Sequence, residues 1–318
     1  MTVSVTTLGR RIRRRSRWFI LVMLAPALAG LLLFFVYPLF ASIFYSFTRF
    51  DLVSPPEFIG LRNYEYLFTK DPKVWIAAGN TLWFVVVLVP VRILTALGVA
   101  FLLVRAKRAS GFWRTVFYLP ALVPSVAGVV AFVFLFNPGT GPVNLILKSI
   151  GIQGPLWFND PDWAKPSLLL LGIWVMGDIM IIFLAALLDV PQEQYEAASL
   201  DGARSWQKGW YVTLPSIVPV LVFAVVTGVI AALQYFTEAA VASTVASGKA
   251  SVGAGTGAGL GYPGNSLLTY TEWLYVRGFA NYQLGYASAL AVLLFVVAAI
   301  FLVLLLRRVK AFTPEEAQ

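Results

Sequence analysis

Long apolar runs constrain this chain more than any other feature. They lie at about residues 18–47, 79–104, 114–136, 167–188, 216–238 and 285–306 of 318. Several exceed the ~18 residues that a helix needs to cross a bilayer. Hydrophobic residues make up 59% of the sequence and charged residues 12%, with a mean hydropathy of +0.80; a soluble domain averages about half and about a quarter. The sequence predicts an all-α, multi-pass membrane protein of six spans. The first run is longer than a bilayer requires and contains Pro38, which predicts tilt, a kink or continuation beyond the membrane. The basic stretch Arg10–Arg17 before it is reminiscent of a secretory signal, with Ala27-Leu28-Ala29 as the cleavage site. The apolar stretch outlasts the ~7–15 residues of a signal core, so a retained span behind a basic tail, residues 1–17, is expected.

The chain has no Cys and no His. Thiol nucleophiles, disulfides, His- or Cys-bound zinc and histidine general bases are excluded. Acidic residues are nearly absent from the apolar runs. No catalytic residue and no metal site is expected.

Lysine and arginine set the orientation. One side collects Arg10 to Arg17, Arg105, Lys107, Arg108, Arg114, Arg204, Lys208, Arg307, Arg308 and Lys310. These amount to fifteen of the 24 basic residues, against six acidic ones, which accounts for the whole net charge of +9. The opposite side balances eight against eight, and Arg92 and Asp178 remain within spans. Both termini (residues 1–17 and 311–318) and the 189–215 loop are therefore expected in the cytoplasm. The pI of 9.8 reflects topology and affinity for anionic lipid heads rather than nucleic-acid binding.

The 189–215 loop is more elaborate than a reconnection requires. Asp189 before Pro191 predicts a helix start, Glu193 and Glu196 suit the positive end of its dipole, and Asp201-Gly202 supplies a left-handed stop. A second short helix over about 203–211 would place Arg204 and Lys208 on one face, ending at Leu214-Pro215. Ala197 and Ala198 leave room for a partner's close approach. The plainer reading is a solvated re-entry loop.

The string Glu196-Ala197-Ala198, Gly202, then Val212-x-Leu214-Pro215 resembles the signature loop of bacterial ABC import permeases, with Val212 where Ile is usual. Phe58-Ile59-Gly60-Leu61-Arg62-Asn63-Tyr64, Asn80-Thr81, Phe117-Tyr118-Leu119-Pro120 and Gly285-Tyr286-Ala287-Ser288-Ala289 resemble elements of the carbohydrate-uptake branch. The likeness covers about residues 20–310. It implies the type I importer fold and a coupling helix seated in a separate ATPase, with Glu196 and Gly202 docking, Ala197 and Ala198 packed closely, and Arg204 at the rim. It also implies two ATP-binding cassette subunits that use ATP and Mg, a second permease that is a distinct homologue, and an extracytoplasmic binding protein that delivers the sugar. No G-x-x-x-x-G-K-[ST] occurs here, so the motor belongs to another chain and this one binds no cofactor.

Arg92 and Asp178 either line the translocation path or pair and hold helices together. Sugar sites combine aromatic faces with amides and carboxylates, which nominates Trp174, Asp178, Gln234, Tyr235 and Glu238; interfacial anchoring is the competing explanation for such aromatics. The Gly-rich segment 248–264 follows no strand of a nucleotide fold and reads as a flexible external excursion. An ion-coupled transporter would show repeated halves and a membrane enzyme a cluster of catalytic groups; neither is evident. A membrane permease for a sugar is the reading the sequence favours.

Overall fold

In the computed structural model the described residues are 19, 22–106, 110–249 and 257–310. The predicted tails 1–17 and 311–318, Lys107, Arg108 and residues 250–256 of the Gly-rich segment lie outside them. Three helices are long and apolar enough to cross a membrane: Val22–Ser46, Pro72–Arg105 and Leu284–Arg307, here the N-terminal, central and C-terminal long helices. Three bent pairs raise the number to as many as six if each pair is one crossing. They are Ser110–Leu122 with Ser125–Leu135 (97°), Pro161–Trp174 with Gly177–Leu188 (46°), and Ser205–Ser216 with Val218–Leu233 (65°).

Proline is carried inside these helices by a recurring device. Pro38, Pro90 and Pro215 each stand two residues after a π-helical turn, at Leu32–Val36, Phe84–Leu88 and Gly209–Thr213 respectively. A proline has no N–H for the carbonyl four residues back, and its ring crowds that carbonyl. The wider turn absorbs the conflict, with the N–H of Tyr37, Val89 and Leu214 closing onto Leu32, Phe84 and Gly209. The N-terminal long helix therefore runs through Pro38 without a break. Leu214-Pro215 likewise does not end its helix, contrary to the sequence expectation; the break falls at Ile217, which is fully buried.

The sharpest bend follows a different rule. Val123 precedes Pro124 and is extended, with ψ 129°, as the clash with the proline ring dictates. The run expected as a single span over 114–136 is thus two helices at nearly a right angle.

Gly177–Leu188 packs along the Val89–Arg105 half of the central long helix and forms the middle of the core. Met180, Phe183 and Leu168 are fully buried there, beside Phe84. At the Pro72 end, short amide clamps join distant segments. Asn63 Nδ2 donates to the Ser46 and Thr48 carbonyls, both at 2.9 Å. Asn80 Nδ2 donates to Asn265 O at 2.8 Å and Leu268 O at 2.9 Å. Clamped this way, residues 257–268 form packed turns with Gly261, Pro263, Leu267 and Leu268 buried, so the described part of the Gly-rich segment is not a loose excursion.

Candidate functional site

Two regions carry the residues the sequence nominates. The first is a cavity of about 240 Å³ where the end of Val218–Leu233 meets the middle of the central long helix. Arg92, Gln234, Tyr235 and Glu238 line it together with Phe236 and Gly228. The helix ends at Leu233, and Thr237–Ala246 begins after a short break, with Glu238 in its first turn. Non-helical backbone of this kind is tolerated at membrane depth only against protein or a wet cavity. A Cβ on Gly228 would stand 2.9 Å from Val89 Cγ1, so glycine is what lets the two helices come together at the cavity wall.

Arg92 reaches from this cavity to Asp178. Its Nη2 donates to both carboxylate oxygens, at 2.8 and 2.9 Å, and to Val175 O at 3.3 Å. The Val175 carbonyl is available because the helix pair breaks there. The two charges therefore pair, and the arginine also lines the cavity. The Arg92 side chain is 25% exposed and that of Asp178 52%, and buried Arg92 Nε has no hydrogen-bond partner among the described residues. The arrangement offers charge and amide groups for hydroxyls beside an aromatic edge.

Trp174 is not part of this lining; its ring lies 5.3 Å from that of Phe132, on the other side of the Val175 break. Tyr235 turns its ring onto Phe84 at 4.7 Å, and its carbonyl accepts from Thr271 Oγ1 at 3.0 Å. Phe84, Phe236 and Gly228 were not nominated from sequence: each is an ordinary apolar or small residue whose partner is remote along the chain.

The second region is the charged connection between Leu188 and Val218. Its first helix is Gln192–Leu200, with Pro191 at the N-cap and no side-chain cap. Asp189 was expected to cap this helix. It instead closes the preceding one, its N–H bonding Ala185 O at 3.1 Å, because Pro191 holds the chain extended between them. At the far end Gly202 takes φ +76°, and Ala203 N donates to Ala198 O at 2.9 Å while Gly202 N donates to Ser199 O at 3.1 Å. This is the left-handed stop with its longer closing bond.

Arg204 then occupies the N-cap of the next helix rather than its body, its N–H held by Gln207 Oε1 at 2.7 Å. Lys208 Nζ donates to Ser199 Oγ at 2.6 Å, and the Tyr195 and Thr213 hydroxyls meet at 2.8 Å. The two helices are thus fixed to each other across the glycine. Their outer face is open: Glu196, Ala197, Gly202, Arg204 and Pro215 are exposed, Ala198 is half-buried, and Leu214 packs its inner side on the core. Leu200 is 91% exposed and Tyr211 75%, apolar surface left open among the described residues.

Bent apolar helices thus surround a polar-lined cavity, and an exposed helical pair joins two of them. The chain belongs to the family of binding-protein-dependent transport system inner membrane components, whose model matches residues 92–311. It is 37% identical over 284 residues to the probable ABC transporter permease protein YesP of Bacillus subtilis, covering 88% of this chain and 87% of that one. It is 32% identical to the sulfoquinovosyl glycerol transport system permease protein SmoG of Agrobacterium fabrum, covering 90% and 91%. Its fold superimposes with a TM-score of 0.79, at 23% identity, on a chain of a bacterial ABC transporter involved in import of the acidic polysaccharide alginate, covering 97% of this chain and 100% of that one. The protein is therefore a membrane-embedded permease subunit of an importer, with the type I importer fold.

Proposed function

We propose that this chain forms half of the path for a sugar that an extracytoplasmic binding protein delivers, and that it is driven by a separate ATPase seated on Gln192–Lys208. Six crossings with both termini in the cytoplasm accommodate the three long helices and the three bent pairs. The observation that carries the coupling role is the uncovered helical pair. Its exposed Glu196, Gly202 and Leu200 stand on a scaffold stapled by Lys208 and Tyr195, so a push on the pair would reach the buried Ile217 hinge as a rigid-body motion. Such surfaces, with large apolar side chains beside charge, are typical of protein contacts. A second permease completes the path, as kinship with the binding-protein-dependent transport family implies.

The cavity of Arg92, Gln234, Tyr235 and Glu238 is the part of the path that meets substrate, with Asp178 holding Arg92 in place. Its amide, carboxylate and aromatic groups suit hydroxyl-rich ligands, and the kinship with SmoG, a permease for a sugar glycoside by its name, supports a carbohydrate. Trp174 stands apart from the cavity and is better read as packing. The test is reconstitution with the partner permease, ATPase and binding protein in vesicles. Sugar uptake that requires both ATP and the liganded binding protein is expected; uptake that persists without the ATPase subunit would overturn the reading.

A further inference from the structure

A groove of about 330 Å³ lies between the first half of the central long helix and the C-terminal long helix, with Leu233 at its floor; the neighbours of Leu233, Ala232 and Gln234, line the Arg92 cavity instead. Leu67, Val74, Ala78, Leu82, Leu294 and Val297 form its walls. Val74, Ala78 and Leu82 recur every fourth residue, so they make one strip of helix surface about 12 Å long at ~1.5 Å per residue. The hydroxyl-bearing residues of the lining are already engaged: Thr81 Oγ1 accepts the Tyr270 N–H at 2.9 Å, and the Tyr270 hydroxyl donates to Leu290 O at 3.0 Å. A water or a sugar would lose hydrogen bonds on entering, whereas hydrocarbon would not.

Size and position decide the occupant. A volume of about 330 Å³ holds a polymethylene chain laid along that strip, whereas a helix, ~10–12 Å across with its side chains, could enter only by the tips of those side chains. The length of the strip is most of the ~15 Å of hydrocarbon in one leaflet. The groove also opens sideways between two membrane-length helices, where Leu82, Trp75 and Val297 remain exposed. Its outer end is polar. Lys70 is exposed in the turn between Phe68 and Val74, both of which line the groove, and the Phe68 and Trp75 rings stand 6.2 Å apart beside it. Tryptophan and lysine at the end of a span are the side chains that lodge at headgroup level.

We propose that this groove binds one acyl chain of an anionic phospholipid, with the headgroup at Lys70. The test is native mass spectrometry of the assembled transporter, delipidated and then titrated with phosphatidylglycerol or phosphatidylethanolamine. The wild type should retain one tightly held lipid on this chain. Ala78→Trp, which fills the slot, should lose it, and the milder Leu294→Phe gives the same readout should the tryptophan variant fail to accumulate. Lys70→Gln should still bind lipid but lose about fivefold of its preference for phosphatidylglycerol, one lysine's share of attraction to an anionic headgroup. The proposal is overturned if the wild type retains no lipid, if both groove variants retain as much as the wild type, or if Lys70→Gln leaves the preference unchanged. Groove variants that shed the second permease while keeping their lipid would assign the groove to a subunit contact instead, and overturn it equally.

Discussion

Glu272 has no solvent exposure, and its Oε2 accepts the Thr269 N–H at 3.1 Å while Oε1 has no hydrogen-bond partner among the described residues. Burial pushes its carboxyl well above the usual range, against a smaller opposing pull from the Thr269 N–H. The folded state therefore keeps a proton that the unfolded chain releases near the ordinary glutamate pKa. Stability is greatest below that pKa and falls as pH rises, by about 1.4 kcal/mol per unit until the folded pKa is reached. Glu272→Gln keeps the acceptor and has no proton to lose. Its melting temperature in detergent should match the wild type near the ordinary glutamate pKa and exceed it as pH rises above that; equal profiles would show that the carboxyl is ionised in place. At Arg92 and Asp178, either Arg92→Gln or Asp178→Asn should cost about 1–3 kcal/mol, less than the ~3–5 of a fully buried pair because half of Asp178 is open. The exchanged pair Arg92→Asp with Asp178→Arg should restore thermal stability but leave sugar uptake low, since the guanidinium no longer lines the cavity. Recovery of both would reduce the pair to a helix clamp.

At the scale of elements, one carboxylate holds three helices together. Asp71 caps the central long helix by accepting from Lys73 N at 3.2 Å, and its Oδ2 accepts from Trp273 Nε1 at 2.9 Å, Arg277 at 3.0 Å and the Tyr286 hydroxyl at 2.8 Å. The Arg277 guanidinium also lies 4.6 Å from the centre of the Trp273 ring. Asp71→Ala would strand the mostly buried arginine, a loss of about 3–5 kcal/mol, while Asp71→Asn keeps part of the cap. Melting of the purified complex should fall sharply for alanine and less for asparagine, and identical values would remove the hub from the account of stability. In the sequence Asp71 and Arg277 are two of the charges on the balanced side and nothing singles them out, because some two hundred residues separate the partners and neither sits in an apolar run. Asn63, Asn80 and Gly285 were legible only as marks of a family. Their physical work is to clamp carbonyls and to seat the start of the C-terminal long helix against Thr48 O, which needs the fold to be visible. The apolar runs located the helices because hydropathy is a property of the segment itself. None of the bends was read from the sequence: Pro124 after Val123 and Pro219 in the first turn of Val218–Leu233 stand at two of the breaks, and the one at Val175 has no such proline beside it.

For the whole molecule, the question is whether motion passes through the Gln192–Lys208 helical pair, and Gly202 separates the two ways of breaking it. Its φ of +76° makes any ordinary side chain unfavourable by about 1–2 kcal/mol, yet a Cβ there meets nothing among the described residues within 4 Å. A substitution can thus act through the backbone or through a partner, but not through a clash inside the subunit. Asparagine tolerates the left-handed conformation, so Gly202→Asn tests space at nearly constant backbone geometry, and Gly202→Ala tests the backbone with little added bulk. A docked ATPase that needs the space should make asparagine the more damaging: ATP hydrolysis persisting in vesicles without sugar uptake, or the ATPase subunit lost on purification, with membrane insertion unchanged. If alanine is the worse of the two, the stop of the helix matters more than the surface it presents. If both variants transport like the wild type, the pair is only a reconnection, and the drive from ATP must enter this permease elsewhere.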